Sequence, residues 1–336
     1  MPFRFTLAVA CFCGLTFGSL APYAAAEERR PIRLLGDFDS SPNLWSIATS
    51  TTQTREKLRV ELGKGFELTA TQKHFVVGYP SGQKDFWTPR FEEIYNSFSR
   101  YFSVRGIKLR EPSEPLVVIV FPTQRDFLRY AAADGAGAAT NVLGYYSPST
   151  NRVAMYDVGG GQQSDEAWAG NASTLIHELA HQLSFNMGLH NRRGVTPRWL
   201  VEGLGTLCEA PGIWKSRSST AARERINTGR FREYQNFAKS IDTTNMLTQL
   251  IEGDRPFESL QSQSYAYSWA LTYYLTETQP RKYAEYLQLT SQRPERTDYS
   301  RAERLRDFTK VFGQDLKLVS ARFNRFMQEQ QATLAK

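Results

Sequence analysis

The sequence predicts an α+β fold, with a mixed β/α half followed by an all-helical half. Up to about residue 160, β-branched and aromatic runs alternate with helical spacings. A glycine-rich break, "VGGGQQSDEAW", ends that alternation. Beyond it, segment after segment carries its apolar residues at helical spacing, so strands and helices are segregated along the chain.

The first 26 residues stand apart from this scheme. Arg4 gives a short positive start, Phe5 to Leu20 is an apolar run, and Ala24-Ala25-Ala26 precedes the charged "EERR". That order predicts an export leader cleaved near Ala26, and hence a periplasmic or secreted protein. Cleavage would remove Cys11 and Cys13 and leave Cys208 as the single cysteine, so no internal disulfide can form. Residues 27–64 are polar and rich in serine and threonine, and are expected to be peripheral or loosely ordered.

From residue 65 each element has its own signal. "FELTATQKHFVVGYP" predicts one or two strands. "TPRFEEIYNSFSRYF" places Phe91, Ile94, Tyr95, Phe98 and Tyr101 on one helical face. "PLVVIVF" predicts a buried strand and "TQRDFLRYAAA" a short helix. "LGYYSPSTNRVAMYD" predicts two strands joined at "SPSTN". These make a mixed β/α subdomain over 65–160. A helical subdomain follows over 161–330, with one helix from about Asn171 to Phe185 and another opening at Pro197.

Composition narrows the function classes. With 336 residues, 41% of them hydrophobic, the chain can bury a sizeable core but is not a polytopic membrane protein. Basic residues exceed acidic ones by 41 to 34, which becomes 40 to 34 once Arg4 is cleaved away. The excess is spread along the chain and predicts no nucleic-acid partner. It suits contact with anionic envelope polymers or a membrane surface.

The chemistry concentrates in "STLIHELAHQLSF". The chain has four histidines, and two of them, His177 and His181, are four apart here. On a helix that spacing puts both imidazoles on one face, able to share an ion. Glu178 lies about 100° round from His177, within reach of a water on that ion. Zinc suits such a site, because it accepts imidazole and carboxylate, keeps an open position and acidifies water. A catalytic zinc site needs a third protein ligand, and the candidate is Glu202 in "RWLVEGLG", 21 positions after His181. Gly203 and Gly205 beside it are expected to let its helix come close to the zinc helix. Thr206 and Glu209 are candidate supports for the site. His74, His190 and Cys208 read as structural.

"HELAH" followed by "WLVEGLG" resembles the gluzincin zinc metallopeptidases, in a peptidase-MA-like form found in exported bacterial domains of unknown function. The resemblance implies that His177, His181 and Glu202 ligate Zn2+ and that Glu178 is the general base. "SYAYSWALTYYL" is similar to the family's tyrosine-bearing helix, which implies Tyr265, or else Tyr267, as the oxyanion donor. "NRVAMYD" would be the edge strand that pairs with substrate backbone. The metzincin pattern is excluded, since Ser184 and Met187 stand where it needs glycine and histidine. The implied activity is that of an exported zinc-dependent endopeptidase acting on peptides or proteins. Two other readings fit the motif: a zinc-stabilised, inactive envelope scaffold, and a nonpeptidase hydrolase acting on cell-wall material. Oligomeric state has no signature in the sequence.

Overall fold

Short apolar runs closed by turn residues become strands, and longer amphipathic ones become helices. A computed structural model describes residues 9–10, 50–71, 73–136, 142–215, 221–295 and 297–334. The expected leader lies outside these residues except for a two-residue strand, β1 (Val9–Ala10). The expected α+β class is what the fold has: among the described residues there are one mixed sheet and thirteen α-helices.

The chain forms two compact units. One comprises Met1–Glu92 with Ser113–Glu178, the other Glu93–Pro112 with Leu179–Lys336. The chain passes between them within helix α2 (Thr88–Ser103), again between Pro112 and Ser113, and within helix α4 (Asp165–Asn186).

The first unit holds α1 (Thr51–Leu62), β2 (Phe66–Ala70), β3 (Phe75–Pro80), β4 (Leu116–Phe121), α3 (Gln124–Ala133), β5 (Gly144–Ser147) and β6 (Arg152–Tyr156). The sheet order is β1-β5-β6-β4-β3-β2. β3 pairs parallel with β4 and β4 parallel with β6, while β2–β3 and β5–β6 are antiparallel. Parallel central strands are buried on both faces, and β3 and β4 are buried at every residue. Leu58 and Leu62 of α1 and Phe127 and Tyr130 of α3 join Val117, Ile119 and Phe121 of β4 in one apolar cluster.

Three expectations are corrected here. Residues 51–62 form a helix where a loosely ordered segment was expected. Ser50 and Gln53 close a capping box at its start, and Thr54, Leu58 and Leu62 face the core. The polar composition hid the one apolar residue per turn that seats the helix. "NRVAMYD" supplies an interior strand rather than an edge, because β6 is bonded to β4 on one side and β5 on the other. The outer member of that hairpin is β5. Helix α4 begins at Asp165, six residues before Asn171. Asn171 is no cap: its buried side chain donates to Asp157 Oδ1 and accepts from the Val158 N–H.

The second unit is helical. It continues with α5 (Arg198–Cys208), α6 (Pro211–Trp214), α7 (Thr228–Phe237), α8 (Thr243–Glu252), α9 (Pro256–Ser259), α10 (Gln261–Thr278), α11 (Pro280–Ser291), α12 (Arg301–Phe312) and α13 (Leu316–Leu334). Prolines open α6, α9 and α11, where a missing N–H costs nothing. α10 is the hub, buried continuously from Ser264 to Thr276. Gly203 lets α5 press against it: a Cβ there would stand 2.1 Å from Thr272 Oγ1 and 2.7 Å from the Ser268 carbonyl oxygen. The close approach expected of this glycine therefore exists, but towards α10 rather than the histidine helix. Trp199 of α5 stacks on Tyr286 and meets Phe308 edge-on, which fixes the rotation of α5 about its axis.

Candidate metal centre

His177, Glu178, His181 and Glu202 are all 0% exposed. The two histidines lie one turn apart on the unbroken helix α4, and Glu202 lies midway along α5. One ligand atom from each of His177, His181 and Glu202 falls within 4.8 Å of the other two. Oε2 of Glu202 is 3.7 Å from Nε2 of His181, too far for a hydrogen bond. Two ligands about 2.0–2.1 Å from one zinc at a tetrahedral angle lie about 3.3 Å apart. The separation thus fits two atoms that share an ion better than two that share a proton. Two imidazoles and a carboxylate are also the donor set of a catalytic zinc site with one position left for water. The residues fit the group that the sequence implied.

Glu178 is fixed from the sheet. Its Oε2 accepts the backbone N–H of Tyr146 at 2.7 Å. The Tyr156 N–H donates to the Leu143 carbonyl, which starts the β5–β6 ladder on odd-numbered residues of β5. Tyr146, being even-numbered, turns its N–H away from β6. An outward strand amide therefore meets the carboxylate of α4. The backbone donor fixes the direction in which the carboxylate points.

The other singled-out residues fall into place around this group. The Tyr265 hydroxyl adjoins the Arg198 guanidinium, and its ring meets Phe257 edge-on at 5.6 Å. The Tyr267 hydroxyl is directed elsewhere, 3.4 Å from Thr243 Oγ1, with its ring against Tyr234. Of the two tyrosines, Tyr265 is the one near Glu202, through Arg198. Thr206 is no support for the carboxylate, since its hydroxyl donates to the backbone carbonyls of Glu202 and Gly203. Glu209 accepts from Asn227 instead. His74 binds Glu92 at 2.8 Å, a structural role as expected. Cys208 is buried, and burial pushes its thiol pKa up, which leaves it a poor nucleophile.

His190 is more than a loop residue. It is 1% exposed, with its ring edge-on to Phe185. Burial, and then the nearby His181, pull its pKa down to about 3. It is therefore neutral at physiological pH. No fourth histidine, cysteine or acidic side chain among the described residues joins the three-membered group.

Sequence reasoning missed Arg198. Its Nε lies 3.5 Å from Oε1 of Glu202. The signal was present, because arginine precedes the glutamate by four residues inside "PRWLVEGLG". Burial disfavours the Arg198 charge, but Glu202 and then Tyr265 more than offset this and raise its pKa. The Tyr146 amide was also missed, and a backbone donor leaves no signature in residue identity.

Residues 171–295 match the model of a family described as "Protein of unknown function (DUF1570)". The matched stretch contains His177, Glu178, His181, Glu202 and Tyr265. No curated protein and no solved structure is detectably similar to the chain.

Proposed function

We propose that the chain is a zinc-dependent hydrolase, and within that class a peptidase of gluzincin type. The observation that carries this reading is the convergence of His177, His181 and Glu202, with donor atoms within 4.8 Å of one another. Those three residues would hold the ion. Bound zinc would supply Lewis acidity, polarising a carbonyl and lowering the pKa of water.

The chain's own residues would do the rest. Glu178, oriented by the Tyr146 N–H, accepts the proton of the attacking water and passes it to the leaving amine. Tyr265 donates its hydroxyl to the oxyanion as charge develops there. One such donor contributes about 3 kcal/mol to lowering the barrier. The substrate is a peptide or protein, and residues 1–26 are an export leader, so the reaction takes place outside the cytoplasm. No fourth histidine, cysteine or acidic side chain among the described residues joins the three donors, which favours this reading over a closed, purely structural site.

The test pairs metal analysis with cleavage profiling of the purified mature protein and Glu178→Gln against a peptide library. One zinc per chain in both proteins, with cleavage by the wild type alone, supports the proposal. Stoichiometric zinc with no peptide cleaved, but with turnover of cell-wall fragments, moves the reading to a nonpeptidase hydrolase. Absence of bound zinc rejects it.

A further inference from the structure

The Glu202 carboxylate has a nitrogen-bearing neighbour at each oxygen. Oε2 faces the His181 imidazole at 3.7 Å and Oε1 faces the Arg198 guanidinium at 3.5 Å. Arg198 and Glu202 are one turn apart on α5, but theirs is no ordinary surface pair. Glu202 is fully buried, and the Arg198 side chain is only 25% exposed.

Arg198 is itself held in place. Its guanidinium lies over the ring of Phe257, 4.7 Å from the centroid. Its backbone N–H donates to Asp254 Oδ1 at 3.0 Å. Asp254 is in turn clamped by both terminal nitrogens of Arg304, at 2.7 and 3.0 Å. The location also calls for a reason. Arg198 is the first residue of α5, where a cation opposes the helix dipole at a cost of about 0.3–1 kcal/mol. An arginine anchored from behind at the unfavourable end of a helix must gain from what it faces, and it faces one oxygen of Glu202.

We propose that Arg198 is a positioning residue that reserves Oε1 of Glu202, so that the carboxylate meets a zinc ion through Oε2 alone. This rests on the metal reading above. A carboxylate free to present both oxygens takes up two positions around an ion, and the second is the one water needs. A guanidinium is suited to prevent this, because its planar fork holds a fixed direction. Partners of this kind typically change metal affinity by about 10–100-fold when removed.

The test uses apo protein titrated with Co2+, with a competing chelator to measure Kd and visible absorption to read the coordination number. Arg198→Met keeps an apolar stem over Phe257 but removes the donor. Its Kd should rise by about 10–100-fold, and its visible bands should weaken as five-coordination replaces four. Arg198→Lys should recover part of both. Wild-type Kd and wild-type band intensity in Arg198→Met overturn the proposal. So does a loss in Arg198→Met that Arg198→Lys rescues in neither readout, since that marks packing alone. Should Arg198→Met not fold, as read by circular dichroism of the apo protein, Arg198→Gln takes its place with the same outcomes. Failure of the wild type to bind one equivalent of Co2+ refutes the metal reading itself, which is a separate result.

Discussion

Glu202 is fully buried and Glu277 part-buried; both are carboxylates of the helical unit, and their surroundings differ. Glu277 is surrounded by donors. Arg105 and Tyr101 bind its Oε1, and Arg225 binds its Oε2 at 2.8 Å. Burial alone would raise its pKa, but Arg225 and Arg105 outweigh burial and lower it. Glu202 has one arginine on one oxygen, at 3.5 Å, and turns the other oxygen to an imidazole beyond hydrogen-bonding distance. A carboxylate that only holds a fold together collects cations on both oxygens. One that waits for an ion is positioned by its neighbours while one oxygen faces other potential ligands. The comparison sets a structural charge beside the one we propose to be a metal ligand.

The largest expected effect belongs to neither carboxylate but to Glu178. Glu178→Gln should lower kcat by about 10³-fold or more, within the range of general-base catalysis, with zinc content unchanged. Steady-state kinetics beside metal analysis checks both halves.

Next comes the direct comparison. Glu277→Gln leaves the part-buried Arg105 and Arg225 without their counter-charge, and should destabilise the fold by about 1.5–3 kcal/mol in urea denaturation with zinc stoichiometry intact. Glu202→Gln should abolish stoichiometric zinc while destabilising the apo fold less than Glu277→Gln, because one arginine rather than two loses its counter-charge. Equal effects of the two substitutions on both readouts would dissolve the distinction.

Acid separates the two sites again. The folded pKa of Glu277 is depressed, so its contribution to stability is fully present above the ordinary carboxylate value of about 4.3. It is lost as pH falls through the folded value. Wild type should therefore lose more stability than Glu277→Gln when apo proteins are taken from pH 6 to pH 3. Parallel losses would mean that Glu277 is not a depressed carboxylate.

Smaller effects test the surroundings. Tyr265→Phe should lower kcat by about 10²-fold, and Tyr267→Phe by less than two-fold, since the Tyr267 hydroxyl is directed to Thr243. Gly203→Ala should cost about 1–3 kcal/mol by forcing α5 off α10, as judged by thermal unfolding.

Much of this was legible in the sequence, and the exceptions share a cause. The strands, the hairpin and the helical half announce themselves by the period of their apolar residues, and the histidine pair by its spacing. Helix α1 was hidden because one apolar residue per turn does not stand out in a polar segment. The edge role was given to β6, an interior strand, because a sequence shows which strands are neighbours along the chain and not which further strand each arm of a hairpin pairs with. Asn171 looked like a cap because its residue type suits one, yet Asp157 had claimed its side chain. Gly203 was rightly read as a site of close approach, but the partner helix lies some 65 residues downstream, beyond what local pattern can name. Arg198 sat in plain view four residues before Glu202 and went unread, because a cation at a helix start resembles ordinary surface charge.

The central claim is that two helices bring three donors to one divalent ion. The most direct measurement is zinc per chain, by elemental analysis after exhaustive dialysis, for the wild type, His177→Ala, His181→Ala and Glu202→Ala. The account predicts one zinc per chain in the wild type and far less than one in each variant, with all four proteins folded. A wild type that retains no zinc, or an Glu202→Ala variant that keeps a full equivalent, would contradict it.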